Sequence, residues 1–311
     1  MHALDVPDVM VDCPMSLFRP AAALFLSLAL PVAAETQPAD CTGLAALLQS
    51  FSGYELTAPP AGDAEGWCVL DGATLQAAAA DRPDLKADHL RLRGTVADGV
   101  PMSVELDLTG LRLVTGLGGK TIDPGLQAMF RLQSADLQLA ALVNPVTETL
   151  EIRGLALRFS GGTDLTLGAD IRGAGLSPLS LAAGSLTALD LDWRNDGKLL
   201  VPVMEAAGAG LVPDASGEDA TKAARAALAA VVEALPEAIF VGEGRDHLTR
   251  LAAALPQGRG RLRLSLTSAD GIGAARLIMA GMADVPLAPE TMAVLFAGAS
   301  LSASWQPGLA P

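Results

Sequence analysis

Between residues 85 and 199 the chain reads as one strand-like segment after another, each with apolar side chains at about every second position. In Met102-Ser103-Val104-Glu105-Leu106-Asp107-Leu108-Thr109 the residues Met102, Val104, Leu106 and Leu108 share one face of a strand. Ser103, Glu105, Asp107 and Thr109 share the other, so one face is buried and one is wet. Leu90-Arg91-Leu92-Arg93 precedes this run, and Leu111-Arg112-Leu113 follows Gly110. Leu150, Ile152, Leu155, Leu157 and Phe159 make the next rows, with Gly154 shifting the phase by one residue, the sign of a bulge or turn. After Gly161-Gly162, a hairpin turn, come Leu165, Leu167, Ala169 and Ile171. Leu189, Leu191 and Trp193 then alternate with Asp190 and Asp192, and Asn195-Asp196-Gly197 reads as a tight hairpin from which Leu199 and Val201 return. Short strands joined by such turns predict an antiparallel sheet, solvated on one face.

The flanks carry helical spacing. Residues 40–51 predict a short helix capped by Asp40 or Thr42. Leu199, Leu200, Val203, Met204, Ala207 and Leu211 recur at helical intervals despite Pro202. Ser216-Gly217-Glu218-Asp219 resembles a capping box, opening a helix over 220–235 whose apolar face is Ala224, Leu228, Val231 and Leu235. A second helix over 246–255 carries Leu248, Leu251 and Leu255. Strands follow at 261–267 and 274–280, then a helix from Pro289 holding Met292, Leu295 and Phe296, then a last strand over 301–305. The fold class expected is α+β: a mainly antiparallel sheet covered on one face by two or three helices.

Composition fits a leucine-rich core. Of the 311 residues 50% are hydrophobic and only 4% aromatic. At the front, Met15 and Arg19 precede an apolar run over 21–30, and Pro31-Val32-Ala33-Ala34 offers small residues for cleavage before Glu35. That is the layout of a signal peptide cut between Ala34 and Glu35, with translation starting at Met15 and residues 1–14 a start-site error. The remaining organisation is a small segment over 35–84 and a β-rich domain over 85–311 with a helical insert at 200–256. No later apolar run reaches the ~20 residues a membrane-spanning helix needs, so no span is expected in the mature chain. Export leaves two cysteines, Cys41 and Cys68, and an oxidising compartment favours their pairing. The bridge is worth about 3 kcal/mol in the chain-entropy description, and would clamp the 40–51 helix against Trp67 and Val69.

The net charge of −14 disfavours nucleic acid and anionic membranes as partners. The longest basic run, Arg259-Gly260-Arg261-Leu262-Arg263, alternates with leucine and reads as the wet face of a strand. Gly116-Leu117-Gly118-Gly119-Lys120-Thr121 lacks the first glycine of a phosphate loop, having Val114 there, and Gly271-Ile272-Gly273 supports no more than a turn. His89 and His247 each sit beside an aspartate at the start of an element, outside any zinc-hydrolase spacing. Gly298-Ala299-Ser300-Leu301-Ser302 ends in serine where a nucleophile elbow needs glycine. Asp190/Asp192 and Glu105/Asp107 share strand faces and read as solvated positions, although a carboxylate pair is visible only in space. No catalytic, cofactor-binding or metal-ligating residue is assigned.

Leu235-Pro236, the stretch from Ala254-Leu255-Pro256 to Leu266, and Gly271 to Leu277 together resemble uncharacterised exported proteins of alphaproteobacteria. Asp164-Leu165-Thr166-Leu167-Gly168-Ala169-Asp170-Ile171-Arg172-Gly173 is similar in texture to AsmA-like and YdgA-like periplasmic proteins. The second resemblance implies an elongated sheet with an apolar groove for lipid. The function expected is that of an exported, periplasmic, non-enzymatic protein that binds a lipid, another apolar ligand or an envelope partner. Two alternatives stay open: a scaffold with a closed core, and a hydrolase with a carboxylate site.

Overall fold

Eight consecutive strands pair with their neighbours in chain order, every pair antiparallel: β7 (His89–Ala97), β8 (Val100–Leu113), β9 (Ala135–Asn144), β10 (Thr149–Phe159), β11 (Asp164–Arg172), β12 (Ser185–Asn195), β13 (Gly260–Gly273) and β14 (Ala299–Pro307). The structure, a computed structural model, describes residues 36–79, 83–114, 133–196, 199–212, 214–273 and 288–308. The chain divides between Ala34 and Glu35, and every described residue lies in the unit Glu35–Pro311.

The alternation read from the sequence becomes register. Leu92, Leu106, Leu139, Leu155, Leu167, Leu191, Leu264 and Ala303 form one apolar row across all eight strands. On the reverse face Asp107, Gln138, Ala156, Thr166, Asp192, Arg263 and Ser304 form a polar row. The phase shift at Gly154 is a bulge that keeps Ile152 and Leu155 on one face. Gly110, at φ 64°, lies within β8, and any Cβ there would strike the Asp88 carboxylate at 2.1 Å.

The N-terminal residues complete the sheet. β1 (Gln37–Pro38) and β4 (Cys68–Asp71) pair with β7, and β3 (Ala61–Gly62) pairs with β4. β2 (Tyr54–Leu56), β5 (Thr74–Ala77) and β6 (Leu85–Lys86) extend from the far end of β8. Six helices are present among the described residues: α1 (Cys41–Ser52), α2 (Pro178–Ala183), α3 (Leu200–Leu211), α4 (Gly217–Ala234), α5 (Gly244–Ala254) and α6 (Pro289–Leu295). They pack on the apolar face in two groups. Leu44 of α1 and Leu181 of α2 join a core with Leu90, Leu92, Leu106 and Leu108. Val232, Leu248, Leu251 and Leu295 join a second with Leu262, Leu266, Leu301 and Trp305. The fold is α+β, with more helices on the sheet than the sequence pattern predicts. None of the described helices is long and apolar enough to cross a membrane.

Several local expectations are corrected. Leu199 and Val201 do not return as a strand: β12 ends at Asn195 and α3 starts at Leu200. Asn195 and Asp196 are buried, Asn195 Nδ2 donating to the Gly258 carbonyl and Thr163 Oγ1 donating to Asp196 Oδ1. Polar side chains that look like turn residues are here hydrogen-bonded in the interior of a junction. Ser216 occupies the N-cap of α4 but its side chain makes no capping bond; Glu205 of α3 instead accepts from the Gly217 N–H at 2.7 Å. Val232, 6% exposed, faces the core, whereas Val231 is 46% exposed. Gly271 and Gly273 lie inside β13, where the pairing with β12 changes register between Leu186 and Ala188. The strand expected at 274–280, the glycine-rich run at 116–121 and the cleavage pair Ala34 and Glu35 lie outside the described residues.

Candidate functional site

α1 is positioned by both its ends. Asp40 caps it, Oδ1 accepting from the Gly43 N–H at 2.7 Å, and Gly53 closes it in the left-handed conformation. Cys41, its first residue, is bonded to Cys68 of β4. Cys68 points to the apolar face, so its neighbours point away. Trp67 and Val69 therefore do not support the helix, as the sequence suggested. Trp67 lies on the polar side instead, with the guanidinium carbons of Arg91 and Arg93 each 4.3 Å from its ring centroid.

Held in this way, α1 presents Leu44, Leu47, Leu48 and Phe51 to the sheet, spaced i, i+3, i+4 and i+7. Between them and the strands lies a crevice of about 230 Å³. Its floor is Leu92, Val104, Leu106, Leu139, Ala141, Leu150 and Ile152, and Leu176 and Leu181 close the α2 side. Every lining residue is apolar. Phe51 stands at the rim, 42% exposed. An enclosed apolar cavity of ~150 Å³ already takes a benzene-sized guest, and ligand pockets start near ~300 Å³. Beyond the crevice its floor runs on: Leu139 is paired with Leu155, and Leu155 with Leu167. Leu155, Leu157, Leu165 and Leu167 are all half-buried, between the two cores.

The polar face holds the carboxylates. Glu105 pairs with Arg93 at 2.6 Å, while Asp107 keeps one buried oxygen with no hydrogen-bond partner among the described residues. Asp190 and Asp192 share a broad cavity of about 680 Å³. Asp192 accepts from Arg261 through both oxygens and from Arg263 at 3.4 Å. The hydrogen bond from Arg261 holds the Asp192 carboxyl below the ordinary carboxylate range; the charges of Arg261 and Arg263 add to this, and partial burial opposes it. A glycosidase acid needs the opposite displacement, so Asp192 does not fit that role.

The remaining candidates are structural in their contacts. His89 pairs with Asp71. His247 on α5 accepts, through Nδ1, the Trp305 N–H at 3.2 Å. Ser300 and Ser302 lie within β14, not on a strand-to-helix turn. Sequence reasoning missed α2, although Ser177 and Pro178 announce it: the serine side chain accepts from the Ser180 N–H and the proline starts the helix. It also missed the crevice, whose leucine stripe on α1 was legible but whose floor comes from four separate strands.

Antiparallel α+β with a helix-roofed apolar crevice is the class this fold defines. Compared with family models, curated proteins and solved structures, the chain matches none.

Proposed function

We propose that this is an exported, non-enzymatic binding protein whose α1 crevice takes the hydrocarbon chain of a lipid-like ligand. The observation that carries the reading is the lining itself: thirteen apolar residues and no polar one, beneath a helix with a phenylalanine at its rim. A dry apolar wall offers a polar ligand nothing to replace its lost water contacts, while each methylene buried is worth about 0.8 kcal/mol. The half-buried leucines of β10 and β11 give a longer chain somewhere to continue. The Cys41–Cys68 bond supports export, since such bonds persist in oxidising compartments. A scaffold with a closed core has no use for this space, and the hydrolase reading loses Asp192 as an acid.

The test is mass spectrometry of organic extracts from protein purified out of the periplasm without detergent. A lipid present at one equivalent per chain is the result this reading expects. Clean protein that also fails to take up added fatty acid is the result that removes it.

A further inference from the structure

An antiparallel meander puts alternate connections at one end of its sheet. Ala97 is paired with Val100, Asn144 with Thr149 and Arg172 with Ser185, while Ser103 lies beside Leu142 and Thr149 beside Arg172. The β7–β8 turn, the β9–β10 turn and the β11–β12 connection therefore stand side by side, each about 10 Å from the next, which is two strand spacings.

Turn tips are normally built from glycine, proline and small polar residues. Each of these three carries a large apolar side chain in solvent: Val100 is 57% exposed, Val146 90% and Leu179 83%. Each has a proline as neighbour, in Val100-Pro101, Pro145-Val146 and Pro178-Leu179. The tips are also fixed in place. Asp98 and Gly99 turn the first with φ of 52° and 76°. Asn144 Oδ1 accepts from the Val146 and Thr147 N–H groups in the second. Ser177 Oγ accepts from the Ser180 N–H in the third. Contact through such tips costs little ordering.

Charge narrows the partner. Residues 97–101, 144–149 and 173–184 contain Asp98 and Glu148, both exposed, and no lysine or arginine. Anionic headgroups are drawn to clustered lysine and arginine, so a neutral surface suits these tips better. The third tip also belongs to the crevice: the β11–β12 connection sends Leu176 and Leu181 inward to its wall and Leu179 outward.

We propose that this end of the sheet docks on the surface of a zwitterionic lipid bilayer, with Val100, Val146 and Leu179 inserted among its headgroups. The inference rests on the crevice reading, for which such a surface is where a lipid ligand is taken up or delivered. Three side chains without a basic residue make a weak, reversible contact, far short of an anchor.

Flotation of the protein purified from the periplasm with phosphatidylcholine vesicles tests it. Partitioning is expected to be insensitive to salt and weaker on vesicles that contain phosphatidylglycerol. Val146→Asp with Leu179→Asp alters two exposed tips, so the fold is expected to survive, and the partition coefficient is expected to fall at least tenfold. Leu211→Asp, also exposed but on α3, which follows β12 at the opposite end, is expected to change nothing. Uptake of a fluorescent fatty acid from solution is expected to be equal in all of these, because neither Val146 nor Leu179 lines the crevice. No flotation of the parent, undiminished flotation of the tip variant, or an equal loss in Leu211→Asp would overturn the proposal. So would self-association that the tip variant abolishes in a parent that does not float, which assigns the tips to a second copy. Uptake without flotation removes the docking and leaves the crevice; flotation through these tips without uptake upholds the docking and removes the crevice.

Discussion

Leu44 of α1 rests on Gly94 of β7: a Cβ added at Gly94 would lie 3.0 Å from Leu44 Cδ2 and 2.4 Å from the Ser103 carbonyl oxygen. Gly94 falls in the apolar row opposite Val104, where any side chain would lift the helix. The height of α1 over the sheet, and hence the depth of the crevice beside it, is set at this contact. Gly94→Ala is expected to cost about 1–3 kcal/mol, the range for overpacking a tight site. Urea denaturation of parent and variant measures it, and an unchanged midpoint would contradict the packing described.

The disulfide closes a 27-residue loop that contains the whole of α1. Cys41→Ser with Cys68→Ser is expected to lower stability by about 3 kcal/mol, chiefly by freeing the unfolded chain. The same loss is expected when the parent is unfolded in reductant, and the double variant is expected to be insensitive to reductant.

Strand β14 is the sheet's last strand, and its outer edge is covered. The Val241 N–H donates to the Leu301 carbonyl at 2.9 Å, and the Trp305 N–H finds His247 Nδ1. Covering an edge in this way removes a template for strand pairing with another chain. His247→Ala leaves the Trp305 amide without its acceptor, at a cost of about 1–3 kcal/mol. Hydrogen exchange at that amide is expected to quicken more than at Ala303, and an equal effect at both would show that His247 merely packs.

Asp192 sets a direction for the acid limb. Its carboxyl is held below the ordinary carboxylate range, chiefly by the hydrogen bond from Arg261, so the unfolded chain binds its proton first as pH falls. The stabilisation it gives is complete above the unfolded pKa of ~3.9 and is lost as pH drops through the lower folded value. Asp88, lowered chiefly by its hydrogen bond from Arg112, acts in the same sense. Stability measured from pH 6 to pH 2 is expected to fall less steeply in Asp192→Asn than in the parent below about pH 4. Identical slopes would count against the Arg261 pairing.

How far the sequence led differs between the sheet and the site. Strict alternation with one wet face made β7, β8 and β10 to β12 legible, because a one-residue slip would turn every leucine outward; β9 went unread, since its Ala140-Ala141-Leu142-Val143 run is apolar at consecutive positions. A different period, the three-and-four spacing of a helix, placed Leu248, Leu251 and Leu255 correctly in the second core. The junction after β12 misled because Asn195 and Asp196 carry turn chemistry whatever their burial, and only the distant Thr163 and Gly258 show that they are interior. Trp67 misled because adjacency to Cys68 was read as proximity to α1, when neighbouring strand residues face opposite ways. The crevice draws on four strands, and cross-strand register is a property of pairing that no single segment declares.

The crevice itself is tested most directly by titrating delipidated protein with a fluorescent polyene fatty acid. One saturable site is expected in the parent. Ala141→Phe, which fills the floor, is expected to abolish it, and Phe51→Asp, which places a charge at the exposed rim, to weaken it at least tenfold. Absence of saturable binding in the parent, or binding unchanged in both variants, would contradict the central claim.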